Sequence, residues 1–255
     1  MEKLRLNAFY LKLIAIITMV IDHAALVLVP DTCIKFINNN PNLSILDWPQ
    51  DVLIIYCIYE IMRTIGRIAF PIFCFFIVEG FIHTKSIKKY ILRLGIFALL
   101  SEIPFDLASF KKLFYFKYQN VMFTLLIGLL SLCIIKLLEE KFNEKHKIRV
   151  VLTFATITIA SLIADFLKTD YSFYGVLAIS LMYIFRDLKP MKLMAGFVSL
   201  VNTSIFVIVP FSLLALYNGE RGRSMKYFFY AFYPVHLFIL YLIAVKLYGN
   251  YVIFP

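Results

Sequence analysis

Ionisable side chains inside long apolar runs are the residues of this sequence whose types and positions could do chemistry. A charge at the centre of a membrane helix costs at least about 2.5 kcal/mol, so such residues are by default candidates for function. The alternative is that they pair with one another as structural ion pairs. The candidates are Asp22, His23, Arg63, Arg67, Glu79, Glu102, Asp106, Asp165 and His236.

Lys12 and His23 are eleven residues apart, which places them within about 20° of one helix face and about 16 Å apart along the axis. That face would combine a cation near the helix start with an imidazole deep in the apolar run, although Lys12 could also be an ordinary end residue. Asp22 points about 100° away from its neighbour, so we expect it to orient His23 poorly. If His23 is a general base, its partner should come from another helix. The candidate partners are Glu79, Glu102 and Asp106.

Arg63 and Arg67 are four residues apart on one face, where their charges repel unless anions lie between or opposite them. Glu60 can neutralise only one of them. Two converging guanidinium groups form a good fork for phosphate, which they can bind bidentately. The competing interpretation is a buried network with Glu102 and Asp106, and the two are not exclusive.

His236 follows Pro234 in an aromatic run. A proline there frees backbone groups that must be satisfied locally, so His236 either serves that purpose or contacts substrate or cofactor. Asn120 and Asn218 are candidate oxyanion donors on local polarity alone.

The composition indicates that lipid, rather than water, surrounds most of this chain. The chain has 255 residues, of which 62% are hydrophobic and 16% charged, with a net charge of +10. This excludes a soluble globular domain and a disordered chain. The cations fall between apolar runs and do not form one basic face, which argues against a nucleic-acid partner. The four cysteines show neither metal-ligand spacing nor a disulfide framework, so no metal is expected.

About 20 apolar residues are needed to cross a bilayer, and eight runs qualify. A ninth segment, 50–62, should form an interfacial or re-entrant helix, because Gly66 and Pro71 break a stretch too long for one crossing. We therefore expect an all-α polytopic membrane helix bundle of about eight transmembrane helices in a single domain, 1–255. The runs are 10–29, 65–83, 90–109, 120–138, 148–166, 171–186, 193–216 and 227–247.

The Lys and Arg distribution predicts a multi-pass cell-membrane protein with both termini in the cytoplasm. Two predicted outer loops oppose this bias, so either a helix is misplaced or these loops face an anionic partner. The loops contain Lys111, Lys112 and Lys117, and Arg221, Arg223 and Lys226.

Several strings resemble the TraX family of F-pilin acetylase-like integral membrane acetyltransferases, over about residues 10 to 243. They are LKLIAIITMVIDH, RTIGRIAFPIFCFFIVEGF, KYILRLGIFALLSEIPFDLA, NVMFTLLIGLL, LYNGERG and KYFFYAFYPVHLFILYL.

A weaker likeness extends to the integral membrane acyltransferase superfamily. Its basic residue, ten intervening residues and catalytic histidine correspond here to Lys12 and His23. Its paired arginines fall approximately on Arg63 and Arg67, which are four apart here rather than the usual three. The closing segment with Pro234 and His236 is also similar.

The resemblance implies transfer of an acetyl group from cytosolic acetyl-CoA to an amine or hydroxyl at or beyond the outer face. The acceptor could be a peptide amine, a glycan, a lipid head group or a small molecule, and an acetyl-histidine intermediate is possible. The alternatives are a proton-coupled transporter and a non-catalytic envelope assembly factor. The expected catalytic residues are His23, Asp22 and Glu79. The expected cofactor-binding residues are Lys12, Arg63, Arg67 and Asn120. The expected substrate-binding or supporting residues are Glu102, Asp106, His236, Asn218 and Arg221.

Overall fold

The computed structural model describes residues 5–29, 33, 36 and 39–249, and this part of the chain is helical, without any strand longer than an isolated bridge. Each long helix coincides with an apolar run, because in lipid a helix satisfies every backbone group within the segment. The helices are α1 (Ala8–Leu28), α2 (Gln50–Gly66), α3 (Ala69–His83), α4 (Ile87–Phe110), α5 (Val121–Lys141), α6 (His146–Phe166), α7 (Ser172–Ile184), α8 (Lys189–Leu200), α9 (Ile208–Ala215) and α10 (Lys226–Tyr248).

Five segments of the described chain are long and apolar enough to cross a membrane, which agrees with the expected membrane protein. They are Ala8–Leu28, Gln50–His83, Val121–Lys141, His146–Phe166 and Lys226–Tyr248. Helix α4 has 24 residues, but charged side chains interrupt its apolar character, and α7 has only 13.

We call the end of the bundle at which α1 begins the proximal end and the other the distal end. Helices α2 and α3 return along α1 from the distal to the proximal end, with a break between Gly66 and Ala69. The expected break at Gly66 is therefore present. Pro71 instead lies in the first turn of α3, where a missing N–H costs no helix bond.

Helices α4 to α7 pass alternately between the two ends. At the distal end, an isolated bridge between Gln119 and Thr169 joins the α4–α5 connector to the α6–α7 connector. At the proximal end, Arg186 donates two hydrogen bonds to Glu139, at 2.9 and 3.0 Å, and so ties α7 to α5. Such bidentate pairs fix the relative position of two helices.

The expectation that 193–216 forms one crossing is wrong. The segment contains α8, a turn at 201–204 in which the Ser204 side chain accepts from Phe206 N–H, and then α9. Lys189 Nζ, at the start of α8, donates to the carbonyl of Ala215, at the end of α9, over 2.8 Å. Both ends of this hairpin therefore lie at the proximal end.

Helix α10 runs parallel to α1. Phe229 lies beside Lys12 near the proximal end, and the Tyr248 hydroxyl donates to the Leu28 carbonyl over 2.7 Å at the distal end. The described chain thus passes between the ends seven times, and residues 5 and 249 lie at opposite ends. The termini themselves, 1–4 and 250–255, lie outside the described residues.

Because of the α8–α9 hairpin, a basic loop lies at the end of the bundle opposite to the one expected. Residues 216–225 follow α9 and hydrogen-bond to the start of α1, where Ala8 N–H donates to the Glu220 carbonyl over 2.9 Å. Arg221, Arg223 and Lys226 consequently lie at the proximal end with the first residues of the chain. One of the two loops that opposed the charge bias was therefore assigned to the wrong end.

Helix α3 lies at the centre of the bundle and has most of its residues buried. It packs beside α7, which approaches α5 closely at two glycines. A Cβ on Gly128 would lie 2.5 Å from Ile179 Cδ1, and one on Gly175 would lie 2.5 Å from Thr124 Cγ2. Small residues at such crossings allow close helix contact in lipid.

Candidate functional site

A short polar contact between α1 and α10 joins two histidines in the interior of the bundle. His23 Nδ1 lies 2.7 Å from His236 Nε2. The ring centroids are 4.9 Å apart and the planes differ by 24°, which is the geometry of two nearly coplanar rings joined edge to edge. His23 therefore faces its neighbouring helix, and its partner comes from another helix as expected, but that partner is a histidine and not a carboxylate.

A third group determines where the protons of this pair lie. His236 Nδ1 is 2.7 Å from the carbonyl oxygen of Phe232, which can only accept, so Nδ1 carries the hydrogen. In a neutral His236, Nε2 is then the acceptor, and His23 Nδ1 must donate to it. The network assigns the remaining lone pair to His23 Nε2, which has no hydrogen-bond partner among the described residues.

Tyr233 completes this junction. Its ring meets His23 edge-on at 6.0 Å, one turn before His236 on the same helix, and its hydroxyl hydrogen-bonds to the backbone at Val121. The start of α5 is thereby joined to the histidine pair. Within the described part of the chain, no group of histidine, cysteine or carboxylate side chains is arranged to hold a metal.

Asp22 and Arg63 form an ion pair beside the histidines. Arg63 Nη1 donates to Asp22 Oδ2 over 2.8 Å, and both side chains are largely buried. Asp22 Oδ1 is buried without a hydrogen-bond partner among the described residues. The structure thus turns Asp22 away from His23 and toward α2, as the helix geometry predicted.

Arg67 lies in the same cluster with two residues that the sequence had not singled out. Its Nη1 donates to the Tyr171 hydroxyl over 3.3 Å, and Asp170 lies near enough for its charge to act on both arginines. Burial raises the pKa of Asp170 to about 6, so this carboxyl is mainly ionised at pH 7. Two arginines are therefore balanced by Asp22 and Asp170, not by Glu102 and Asp106.

The backbone at Tyr171 is strained. Tyr171 and Ser172 have φ of 58° and 34°, a region that side chains with a Cβ rarely adopt. The turn stacks the Tyr171 ring on Phe70 at 3.7 Å and directs its hydroxyl to Arg67. Such strain persists only where surrounding contacts hold it.

Gly66 allows α2 to approach Asp22. A Cβ at this position would lie 2.2 Å from Asp22 Oδ1, closer than any real contact. We expect Gly66→Ala to lower the free energy of unfolding in detergent by about 1–3 kcal/mol. Gly95→Ala is the matched control, since its nearest neighbour is 3.8 Å away, and it should stabilise α4 by about 0.5–1 kcal/mol. Equal thermal shifts for the two variants would contradict this role of Gly66.

Asn120 and Glu102 form a structural unit. The Asn120 side chain accepts from Met122 N–H over 2.9 Å as the N-cap of α5, and its amide donates to Glu102 and to the Ala98 carbonyl. Both N–H donors of this fully buried amide are used, and its oxygen accepts the capping bond. The structure therefore leaves Asn120 no free donor for a cofactor or an oxyanion, and the described hydrogen bonds of Glu102 go to Asn120 and not to His23.

Asp106 lies near the distal end of α4. Its Oδ2 accepts from Tyr115 N–H over 2.7 Å, while Oδ1 is buried and has no partner among the described residues. Asp165, in the last turn of α6, accepts from the Ser172 hydroxyl over 3.0 Å. Both carboxylates stabilise connectors, and neither contacts the histidine pair.

Glu79 lies at the proximal end of α3, away from His23. It pairs with Lys192, which is 4% exposed, and its other oxygen is 3.6 Å from His83 Nε2. A lysine this buried needs a partner, so the pair holds the hairpin of α8 and α9 against α3. The structure gives Glu79 this position in place of the expected catalytic one.

The remaining candidates lie at the proximal end. Lys12 Nζ lies 4.6 Å from the centre of the Phe76 ring, on the face of α1 that also presents His23. Asn218 donates to Glu220 over 2.8 Å and so shapes the α9–α10 connector, and Arg221 donates to Ser224 over 2.8 Å. Lys12 and Arg221 are neighbours, whereas Asn218 lies far from His23.

Sequence reasoning missed Asp170, Tyr171 and Lys192. A signal existed for the first two, because Thr169, Asp170 and Tyr171 are polar residues in a short connector between two apolar runs. No comparable signal existed for Lys192. The sequence places it just before a predicted membrane helix, where a lysine commonly extends to the membrane surface. The side of the helix that it occupies depends on how α8 packs.

The seven passes and the buried polar junction between the first and last helices define a polytopic helical membrane protein with ionisable groups in its interior. The chain belongs to the TraX family, since the family model described as TraX protein matches residues 8–244. The resemblance seen in the sequence is thereby confirmed.

The chain is also similar to a probable fimbrial assembly protein FimC, serogroup H1, of Dichelobacter nodosus. The two are 29% identical over 263 residues, which cover 92% of this chain and 94% of the relative. No solved structure matches the chain.

Proposed function

We propose that this protein transfers an acetyl group from acetyl-CoA to an amine or hydroxyl of an acceptor at or beyond the outer membrane face, with His23 as general base. The observation that carries the proposal is the hydrogen-bonded series from His23 through His236 to the Phe232 carbonyl. This series orients the His23 imidazole and leaves its Nε2 with a free lone pair, as a general base requires.

In the proposed reaction, His23 Nε2 removes the acceptor proton as the acceptor nitrogen or oxygen attacks the thioester carbonyl. The new bond to the acetyl group forms, the carbon–sulfur bond breaks, and the imidazolium returns the proton to the leaving thiolate. His236 accepts from Nδ1–H throughout and so stabilises the charged ring. An acetyl-histidine intermediate is the alternative route.

We propose that the proximal end faces the cytoplasm, because it carries most of the cations. His23 is five residues before the distal end of α1, or about 8 Å, so an acceptor from the outer side would reach it first. The proximal cations include Arg5, Lys85, Lys88, Lys89, Lys141, Lys145, Lys147, Arg149, Arg186, Lys189, Arg221 and Arg223, and those at or near the distal end include Arg63, Arg67, Lys111, Lys112, Lys117, Lys168 and Lys246.

The fimbrial relative favours a pilin-like or fimbrial subunit as the acceptor over a glycan, a lipid or a small molecule. The test is to incubate the purified protein with labelled acetyl-CoA and envelope fractions and to search the products by mass spectrometry for a gain of one acetyl group. Absence of any acetylated product that depends on the protein would reject the proposal.

The name of the same relative also favours a second candidate, a non-catalytic assembly factor. In that case fimbrial assembly should continue when His23 is replaced, provided that the variant reaches the membrane at wild-type abundance. Loss of assembly in a stable, abundant His23 variant would reject this second candidate.

His236 is a positioning residue in this proposal. We expect His236→Ala to reduce kcat about 10- to 100-fold with little change in KM, because His23 loses the acceptor that sets its tautomer. His236→Asn should recover part of the loss, since its amide oxygen can accept from His23 Nδ1. The pH profile of kcat should also shift in His236→Ala, which a purely structural defect would not cause. An unchanged profile, or no recovery by asparagine in folded protein, would contradict the role.

A further inference from the structure

Four cations meet at the proximal end of the bundle, and we call them the proximal basic cluster: Lys12, Arg93, Arg221 and Lys226. Lys12 comes from α1, Arg93 from α4, and Lys226 from the start of α10. Arg221 is brought to them because residues 216–220 hydrogen-bond to residues 6 and 8. The cluster is therefore assembled by the fold from three separate parts of the chain: α1, α4 and the stretch that leads into α10.

The charges of the cluster lie close enough to act on one another. The charge of Arg221 acts on Lys12, and the charges of Arg93, Arg221 and the neighbouring Lys89 act on Lys226. Aromatic rings hold two members in place: Lys12 lies over Phe76, and the Tyr230 hydroxyl hydrogen-bonds with Arg93.

No cation of the cluster has an ion-pair partner within the described part of the chain. None of its four members forms an ion pair with a described carboxylate, and Arg93 Nε is buried without a hydrogen-bond partner. Two other cations at the same end, Lys192 and Arg186, do have carboxylate partners. Fixed like charges in one place, with a buried donor unused, point to an anion as the missing partner.

We propose that the proximal basic cluster binds the phosphate groups of the acyl donor, a nucleotide thioester. The inference rests on the proposed function. Lys12 and His23 share a face of α1 and are about 16 Å apart, so a donor held here by its phosphates needs an extended arm between phosphate and thioester. Arg63 and Arg67 are poor candidates for this role, because Asp22 and Asp170 already balance them near the distal end.

The experiment measures ligand binding to the purified full chain in phosphatidylcholine nanodiscs. The variant is Arg221→Gln with Lys226→Gln, and the matched control is Lys112→Gln with Lys117→Gln, which makes the same charge change in the distal α4–α5 connector. The ligands are CoA and pantetheine, which lacks the nucleotide phosphates. We expect the variant to bind CoA at least 10-fold more weakly, with pantetheine unchanged and the control binding like wild type.

Three results would overturn the inference. The first is a variant that binds CoA as tightly as wild type, and the second is an equal loss in the distal control. The third is a variant that binds CoA like wild type but no longer co-purifies with phosphatidylglycerol after extraction from mixed-lipid nanodiscs. That result would assign the cluster to lipid head groups. A wild-type protein that transfers acetyl groups while the variant binds CoA normally would refute this site alone, whereas a wild-type protein that binds no CoA would also refute the proposed function.

Discussion

Replacement of His23 by alanine is expected to abolish most acetyl transfer, with a fall in kcat of about 10²- to 10⁴-fold, the range that a positioned general base contributes. In the His23–His236–Phe232 series, Nε2 of His23 is the ring nitrogen that keeps a free lone pair. KM for acetyl-CoA should change little, because the proposed phosphate contacts lie about 16 Å away. The measurement is single-turnover transfer from labelled acetyl-CoA in purified protein.

His83→Ala is the matched control for this experiment. His83 lies at the end of α3 with its side chain 73% exposed, so its loss should leave transfer unchanged. Label that stays on wild-type protein but not on the His23 variant would favour an acetyl-histidine intermediate over direct transfer. Undiminished transfer by His23→Ala would remove this residue from the mechanism.

The second large effect concerns stability. Arg63→Ala removes the ion-pair partner of Asp22, a carboxylate whose other oxygen is already buried without a partner among the described residues. Leaving a largely buried charge unpaired is expected to cost about 3 kcal/mol. Thermal unfolding in detergent should show a large decrease in Tm for Arg63→Ala and almost none for the exposed Arg223→Ala.

A second substitution separates lost charge balance from lost packing. Asp22→Asn in the Arg63→Ala background removes the unpaired charge and should restore much of the Tm. A phosphate-binding role for Arg63 predicts the opposite pattern, in which Arg63→Ala remains as stable as wild type and loses CoA affinity. Recovery of Tm in the double variant together with wild-type CoA affinity would support the ion-pair role.

Most of the helices could be predicted from the sequence. The runs 10–29, 120–138, 148–166 and 227–247 agree with α1, α5, α6 and α10 within a few residues, because an apolar stretch of this length has few alternatives to a helix in lipid. The hairpin of α8 and α9 could not be recognised in this way. A hydropathy average over the whole run hides the turn at Thr203 and Ser204. The return of α9 along α8 also depends on a contact between Lys189 and Ala215, which are 26 residues apart.

The candidate site was predictable in its members but not in their pairing. Asp22, His23, Arg63, Arg67 and His236 all appear in the sequence as ionisable residues within apolar runs, and the structure brings them to neighbouring parts of the bundle. Which residue faces which depends on helix rotation, and periodicity within one helix does not determine that rotation. Only the divergence of Asp22 and His23 follows from a single helix, and in the structure the two side chains have different partners, Arg63 and His236.

Asn120 shows a local signal that was present but given another meaning. An asparagine directly before an apolar run is typical of a helix N-cap, and its side chain does cap α5. Its polarity next to a membrane segment suggested a ligand-binding role instead. Cap positions are therefore the first explanation to test for a lone polar residue at the start of a membrane helix.

The two imidazoles come from the first and last helices, 213 residues apart in the chain. At a synthesis rate of about 5–20 residues per second, α1 is inserted at least about 10 s before its partner leaves the ribosome. During that interval, His23 lacks the His236 nitrogen that accepts from its Nδ1–H in the folded protein. Under the proposed mechanism, His23 therefore gains its hydrogen-bond partner only when α10 has been inserted, and a product that ends before α10 would lack the oriented base that the proposed transfer needs.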